Sequence, residues 1–100
     1  MRFFLISDNA DTEVGLRLAG IEGVVVADAA GAEDALHKAV ADETVGIVLI
    51  TARLSAQCRD TLIRTKKAHP RTLIVEIPDR HGGGADSLEE YVRNAVGIKL

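Results

Sequence analysis

Four short apolar runs alternate with four stretches of helical periodicity, and this alternation leaves the chain very few folds. The runs are Arg2–Ser7, Val24–Val26, Val45–Ile50 and Leu73–Ile77. The last three are β-branched and nearly continuous. Continuous runs suit strands buried on both faces, as in a parallel sheet covered by helices; a half-exposed strand would alternate.

The intervening stretches carry helix signals. Asp8, Asn9 and Asp11 bring N-cap chemistry and first-turn charge to a first helix, with Val14, Leu18 and Ile21 as its inward positions. Gly15 lowers helix propensity there by about 1 kcal/mol relative to alanine and permits close approach to a sheet. Gly20 suits the turn that closes it. Ala32, Ala35, Leu36, Ala39 and Val40 give the second helix a continuous apolar stripe, with Glu33 and Asp34 in its first turn. The third is expected from Ala52 to Ala68, with Leu54, Cys58 and Leu62 inward, ending before His69-Pro70. The fourth opens on the capping box Ser87-Leu-Glu-Glu90, presents Leu88, Tyr91, Val92, Ala95 and Val96, and closes at Gly97.

The order βαβαβαβα, with right-handed crossovers, predicts an α/β fold. It is an open four-stranded parallel sheet of order 2-1-3-4 with helices on both faces, flavodoxin- or receiver-like, plus a C-terminal helix. A chain of 100 residues forms one domain of this kind. Within it, residues 1–77 are the sheet core, 78–86 a glycine-rich loop and 87–100 the C-terminal helix.

Composition removes several classes of function. Although 47% of residues are apolar, no run approaches the roughly 20 residues that cross a bilayer, so no direct membrane insertion is expected. The opening apolar run, Phe3–Ile6, is too short for a signal peptide and meets Asp8 at once. A single cysteine, Cys58, excludes an internal disulfide and fits a reducing compartment. A net charge of −3, with two Phe, one Tyr and no Trp, argues against nucleic-acid binding, which needs cations and stacking rings.

In such a sheet, ligands bind at the carboxyl ends of the strands. These are Ser7-Asp8, Thr51 and Glu76–Asp79, the last leading into Arg80-His-Gly-Gly-Gly84. Each chemistry this edge could host lacks a component. A phosphoacceptor receiver needs an aspartate after the third strand, where Thr51 stands, and a lysine after a fifth strand, which is absent. A dinucleotide site needs Gly-x-Gly-x-x-Gly in the first turn, where Ser7-Asp-Asn-Ala-Asp-Thr-Glu13 is acidic and glycine-free. The His81-Gly-Gly-Gly84 run lacks the Gly-x-Ser-x-Gly elbow of esterases. Asp8, Asp11 and Asp79 offer cation ligands, but helix capping accounts for the first two. His37, His69 and His81 are far apart in sequence, which disfavours a metal site. No catalytic, cofactor-binding or metal residue is therefore expected. Cys58 reads as core, and Gly82, Gly83 and Gly84 read as a hinge.

A basic set remains: Arg59, Arg64, Lys66, Lys67, His69 and Arg71. One reading is a solvated helix face whose last cations complement the dipole. The other is docking on an acidic partner. The candidate partner-binding residues are Arg59, Arg64, Lys67 and Arg80, together with Leu88, Tyr91 and Val92 of the last helix.

Across its length the chain resembles the family of F subunits of V-type (archaeal- and bacterial-type) ATP synthases/ATPases. The resemblance rests on Phe3-Phe-Leu-Ile-Ser-Asp8, Gly15-Leu-Arg-Leu-Ala-Gly-Ile21, Val45-Gly-Ile-Val-Leu-Ile-Thr51, Ile77-Pro-Asp-Arg-His-Gly82 and Tyr91-Val-Arg-Asn-Ala-Val-Gly97. It implies a non-catalytic component of the central rotor stalk, docked on the coiled-coil D subunit. It also implies transient contact with the A/B catalytic ring, and a place in the cytoplasm, peripheral to the membrane. Such a rotor couples ATP synthesis or hydrolysis to proton or sodium transport, and the family's C-terminal helix changes position. Two rivals share the residue pattern. One is a pseudo-receiver adaptor without phosphoacceptor chemistry; the other is a small hydrolase using His81 and Asp79.

Overall fold

The structure, a computed structural model, describes residues 2–78. Within them the order is β1 (Arg2–Ser7), α1 (Ala10–Leu18), β2 (Glu22–Val25), α2 (Ala29–Ala41), β3 (Val45–Thr51), α3 (Ala52–Gln57), α4 (Arg59–Ala68) and β4 (Leu73–Ile77). All strand pairs are parallel and the sheet order is β2-β1-β3-β4, as the alternation of runs predicts. Asp79, Arg80, His81, the Gly82–Gly84 hinge and the helix carrying Leu88, Tyr91 and Val92 lie outside the described residues.

Strand pleating sorts the core into two clusters. Ile6, Val48, Ile50 and Ile74 pack with Ala32, Leu36 and Ala39 of α2, Leu54 of α3, Cys58 at the break between α3 and α4, and Leu62 of α4. On the other face Leu5, Ile47, Leu49 and Ile77 pack with Leu16 of α1. β3 lies between β1 and β4, and only Gly46 of its seven residues escapes full burial. A register shift sets Arg2 opposite Val45 but Phe3 opposite Ile47. The extra residue, Gly46, leaves Val45 in the first cluster and Ile47 in the second.

Four local expectations are corrected. In α1 the inward residues are Thr12, Gly15 and Leu16, whereas Val14 is 41% and Leu18 82% exposed. The cap sets this phase: Asn9 Oδ1 accepts from the amides of Asp11 and Thr12, which starts the helix at Ala10. Ile21 is not on the helix at all. Gly20, at φ 91°, turns the chain so that its amide bonds Arg17 O while the Ile21 amide bonds Leu16 O. That is a Schellman closure, and it returns Ile21 to the cluster beside Leu16.

The second helix begins earlier than its stripe suggested. Asp28 caps it by accepting from the Gly31 amide at 2.9 Å, which puts Glu33 beyond the first turn. The third helix is two helices. Cys58, at φ −117° and ψ 23°, donates its amide to Leu54 O and Ser55 O, and its carbonyl accepts from the Leu62 amide. Leu54, Cys58 and Leu62 keep one apolar stripe through the break, so periodicity could not register it. Finally, β2 is Glu22–Val25 rather than Val24–Val26 and is an edge strand, with Val24 and Val25 exposed instead of buried on both faces.

Arg2 fastens the amino end of the sheet. Its guanidinium donates to Glu22 at 2.7 Å and to Asp42 at 2.8 Å, tying β1 to β2 and to the turn after α2. The Thr44 hydroxyl and amide both donate to the Asp42 carboxylate and hold its pKa below the ordinary value, with Arg2 adding to the effect.

Gly23 is fixed by its neighbour in β1. A Cβ there would lie 2.5 Å from Leu5 Cβ and 2.6 Å from Leu5 O. Gly23→Ala should therefore lower stability by about 1–3 kcal/mol in urea unfolding. An unchanged unfolding midpoint would show that β2 can move away from β1 without loss.

Candidate functional site

The carboxyl end of the sheet is where this architecture places chemistry, and among the described residues the side chains at the ends of β1 and β3 bond to their own neighbours. Ser7 is fully buried, and its hydroxyl pairs with the Asn9 backbone at 2.9 Å. Asp8, expected as a helix cap, caps nothing; Asn9 does. Asp8 Oδ1 instead accepts from the Thr51 hydroxyl at 2.9 Å, and Oδ2 lies 3.6 Å from Arg53 Nε. Thr51, at the position a phosphoacceptor would need, is 1% exposed and donates its hydroxyl proton to Asp8. The exposed Arg53 guanidinium places a positive charge beside Asp8. Among the described residues no group of His, Cys, Asp and Glu is arranged to hold a metal.

The structure brings together two histidines that the sequence keeps apart. His37 of α2 and His69 after α4 line one cleft of about 360 Å³ with Glu33, Thr61, Arg64 and Thr65. The Glu33 carboxylate accepts from the Thr61 hydroxyl, and Arg64 reaches the same hydroxyl at 3.4 Å. The Glu33–Thr61 bond ties α2 to α4. A second cleft, of about 630 Å³, opens at the amino end of the strands between Asp42, Glu43 and Arg71. Cys58, the one thiol, is core, and burial pushes its pKa up, away from the reactive thiolate.

Arg59, Arg64 and Lys67, three of the candidate partner-binding residues, all stand exposed on α4, as does Lys66. The buried side of that helix is Thr61, Leu62 and Thr65. Between the cations sits a residue that charge counting overlooked: Ile63, an apolar side chain left 47% exposed. Its helical offset from Leu62 was the available signal.

Compared with known proteins, residues 4–96 match the family described as ATP synthase (F/14-kDa) subunit. The chain belongs to that family. The A-type ATP synthase F subunit of Methanococcus maripaludis (strain C5) is 34% identical over 104 residues, covering 100% of this chain and 99% of the relative. Its counterpart in Methanocaldococcus jannaschii is 31% identical over 103 residues, with the same coverage of each chain. That of Pyrococcus furiosus is 35% identical over 103 residues, covering 96% and 95%. The family is a stalk component of ATP synthase and is not itself catalytic. No helix among the described residues is long and apolar enough to cross a membrane.

Thr51→Val keeps the shape of the buried side chain and removes the donor to Asp8. A loss of about 1–2 kcal/mol in urea unfolding is expected for a bond to an ionised, partly solvated acceptor. Unchanged stability would mean that the Thr51–Asp8 bond contributes nothing to closing this edge.

Proposed function

We propose that this chain is the F subunit of an A/V-type rotary ATP synthase, a non-catalytic part of the central stalk that docks on the D subunit. In that role it turns with the stalk, touches the A/B catalytic ring transiently, and helps couple ATP synthesis or hydrolysis to proton or sodium transport. Its place is the cytoplasmic side, peripheral to the membrane. The observation that carries this reading is the match of residues 4–96 to the family, with relatives named as F subunits covered almost end to end. The closed carboxyl edge supports it. A component that works by docking has no use for an open site, and Thr51, Asp8 and Arg53 satisfy one another.

Residues 1–77 form the docking body in this proposal, 78–86 a joint and 87–100 a helix that moves on it. Gly82, Gly83 and Gly84 let the apolar stripe of Leu88, Tyr91 and Val92 seat either on the sheet or on a neighbouring protein of the complex. Each large side chain so buried contributes about 2 kcal/mol, so the two seats must offer comparable burial. The pseudo-receiver alternative draws on the same Thr51–Asp8 pair, but it gives no reason for a full-length family match.

Co-expression with the A, B and D subunits tests the proposal. The chain should co-purify with the D protein in a stable complex and assemble with the ring. Replacing Gly82, Gly83 and Gly84 by alanine should shift the ATPase rate of that complex by about twofold or more. Failure to bind the D protein would contradict the docking role; an unchanged rate in an intact complex would contradict the hinge alone.

A further inference from the structure

The described residues contain nine lysines and arginines, and the structure divides them sharply. Arg2, Arg17, Lys38 and Arg53 each face a carboxylate within 4 Å. Arg59, Arg64, Lys66, Lys67 and Arg71 form no ion pair among the described residues, and all five fall within one helix and the turn after it. The chain as a whole is acidic, with a net charge of −3 and acceptors in excess, so this segregation does not follow from a shortage of carboxylates.

Helix electrostatics accounts for part of the set only. Lys66 and Lys67 stand in the last turn of α4, where the dipole favours cations. Arg59 stands in its first residue, where the dipole opposes one. Arg59 also sits at the start of a stripe that combines charge with apolar surface. Arg59, Ile63 and Lys67 recur at intervals of four, so they share a face about 12 Å long. Arg64 and Lys66 flank it. A half-exposed isoleucine amid unpaired cations is a weak element of stability and a usable centre for an interface, with an apolar contact at the middle and a charged rim.

We propose that the outer face of α4, Arg59–Ile63–Lys67 flanked by Arg64 and Lys66, is the surface on which this chain docks its stalk partner. The matching surface is an acidic stripe on a helix, with an apolar residue that receives Ile63. This rests on the stalk role proposed above and names the surface that role would use. A helix suits the site because a stripe of this length and spacing presents contacts every turn, as a facing helix does. The cations steer encounter and set orientation, and Ile63 supplies the part of the affinity that salt does not screen. A nucleic acid would use the same cations, but no aromatic residue lies on this face to stack on bases.

The test is the affinity of the full-length chain for the purified D protein of the stalk at two ionic strengths. Arg59→Glu with Lys67→Glu should weaken binding by about 100-fold at low salt and flatten its salt dependence. Ile63→Ser should weaken it by about tenfold and leave the salt dependence unchanged. Lys38→Glu, on α2 and away from this face, should change little. All of these positions are exposed, and unfolding midpoints close to wild type confirm that the variants fold. Binding that survives both the double reversal and Ile63→Ser overturns the surface while leaving the stalk role standing. Absence of wild-type binding to the D protein overturns both. Tight binding of the wild type to a DNA oligonucleotide, lost in the double reversal, would give the face to nucleic acid instead.

Discussion

The structure depends on the burial of β3 between β1 and β4. Val45–Thr51 is enclosed on both faces, and β1 and β4 cover both of its edges. Pleating directs Val48 and Ile50 to the α2–α4 side and Ile47 and Leu49 to the α1 side. A polar residue inside that strand would have no solvent to reach, and the only one, Thr51, sits at its end with its hydroxyl held by Asp8. The same parallel packing brings the carboxyl ends of β1 and β3 together, which is why Asp8 and Thr51, 43 residues apart in sequence, are bonded.

That arrangement links fold to function. An open parallel sheet offers its carboxyl edge to ligands because loops there diverge and leave backbone groups free. Here the edge is spent on itself. Ser7 closes onto Asn9, Thr51 onto Asp8, and Arg53 balances the remaining charge. What the scaffold still presents is on the outside of α4, where no carboxylate among the described residues answers the cations. A body that is closed at its usual site, yet uncompensated on one face, suits a part carried by a larger assembly.

Much of this was legible in the sequence because burial on both faces leaves a plain record. Strand order, strand direction and the inward stripe of α2 follow from uninterrupted apolar runs and from Ala32, Leu36 and Ala39 at helical spacing. The errors arose where a backbone bond decides what side-chain spacing does not show. In α1 the chain buries Thr12, Gly15 and Leu16 and turns Val14 and Leu18 outward, a choice that apolar spacing alone does not show. The break at Cys58 leaves the stripe unbroken and changes only the direction of the peptides. The site was half legible. The missing phosphoacceptor could be read directly, as could the cations of α4. The Thr51–Asp8 bond, the shared cleft of His37 and His69, and the unpaired state of the five cations exist only in three dimensions.

The central claim is that this chain is a moving, non-catalytic part of a rotary stalk. Lys38 is exposed on α2 and Cys58 is buried, so Lys38→Cys provides a single reactive handle away from the proposed docking face. A bead attached there, in the complex assembled with the A, B and D subunits and held to a surface through the ring, can be followed by single-molecule microscopy. The account predicts that the bead turns in one direction when ATP is added and stops when it is removed. A bead that stays fixed while the complex hydrolyses ATP would place the chain outside the rotor and contradict the account.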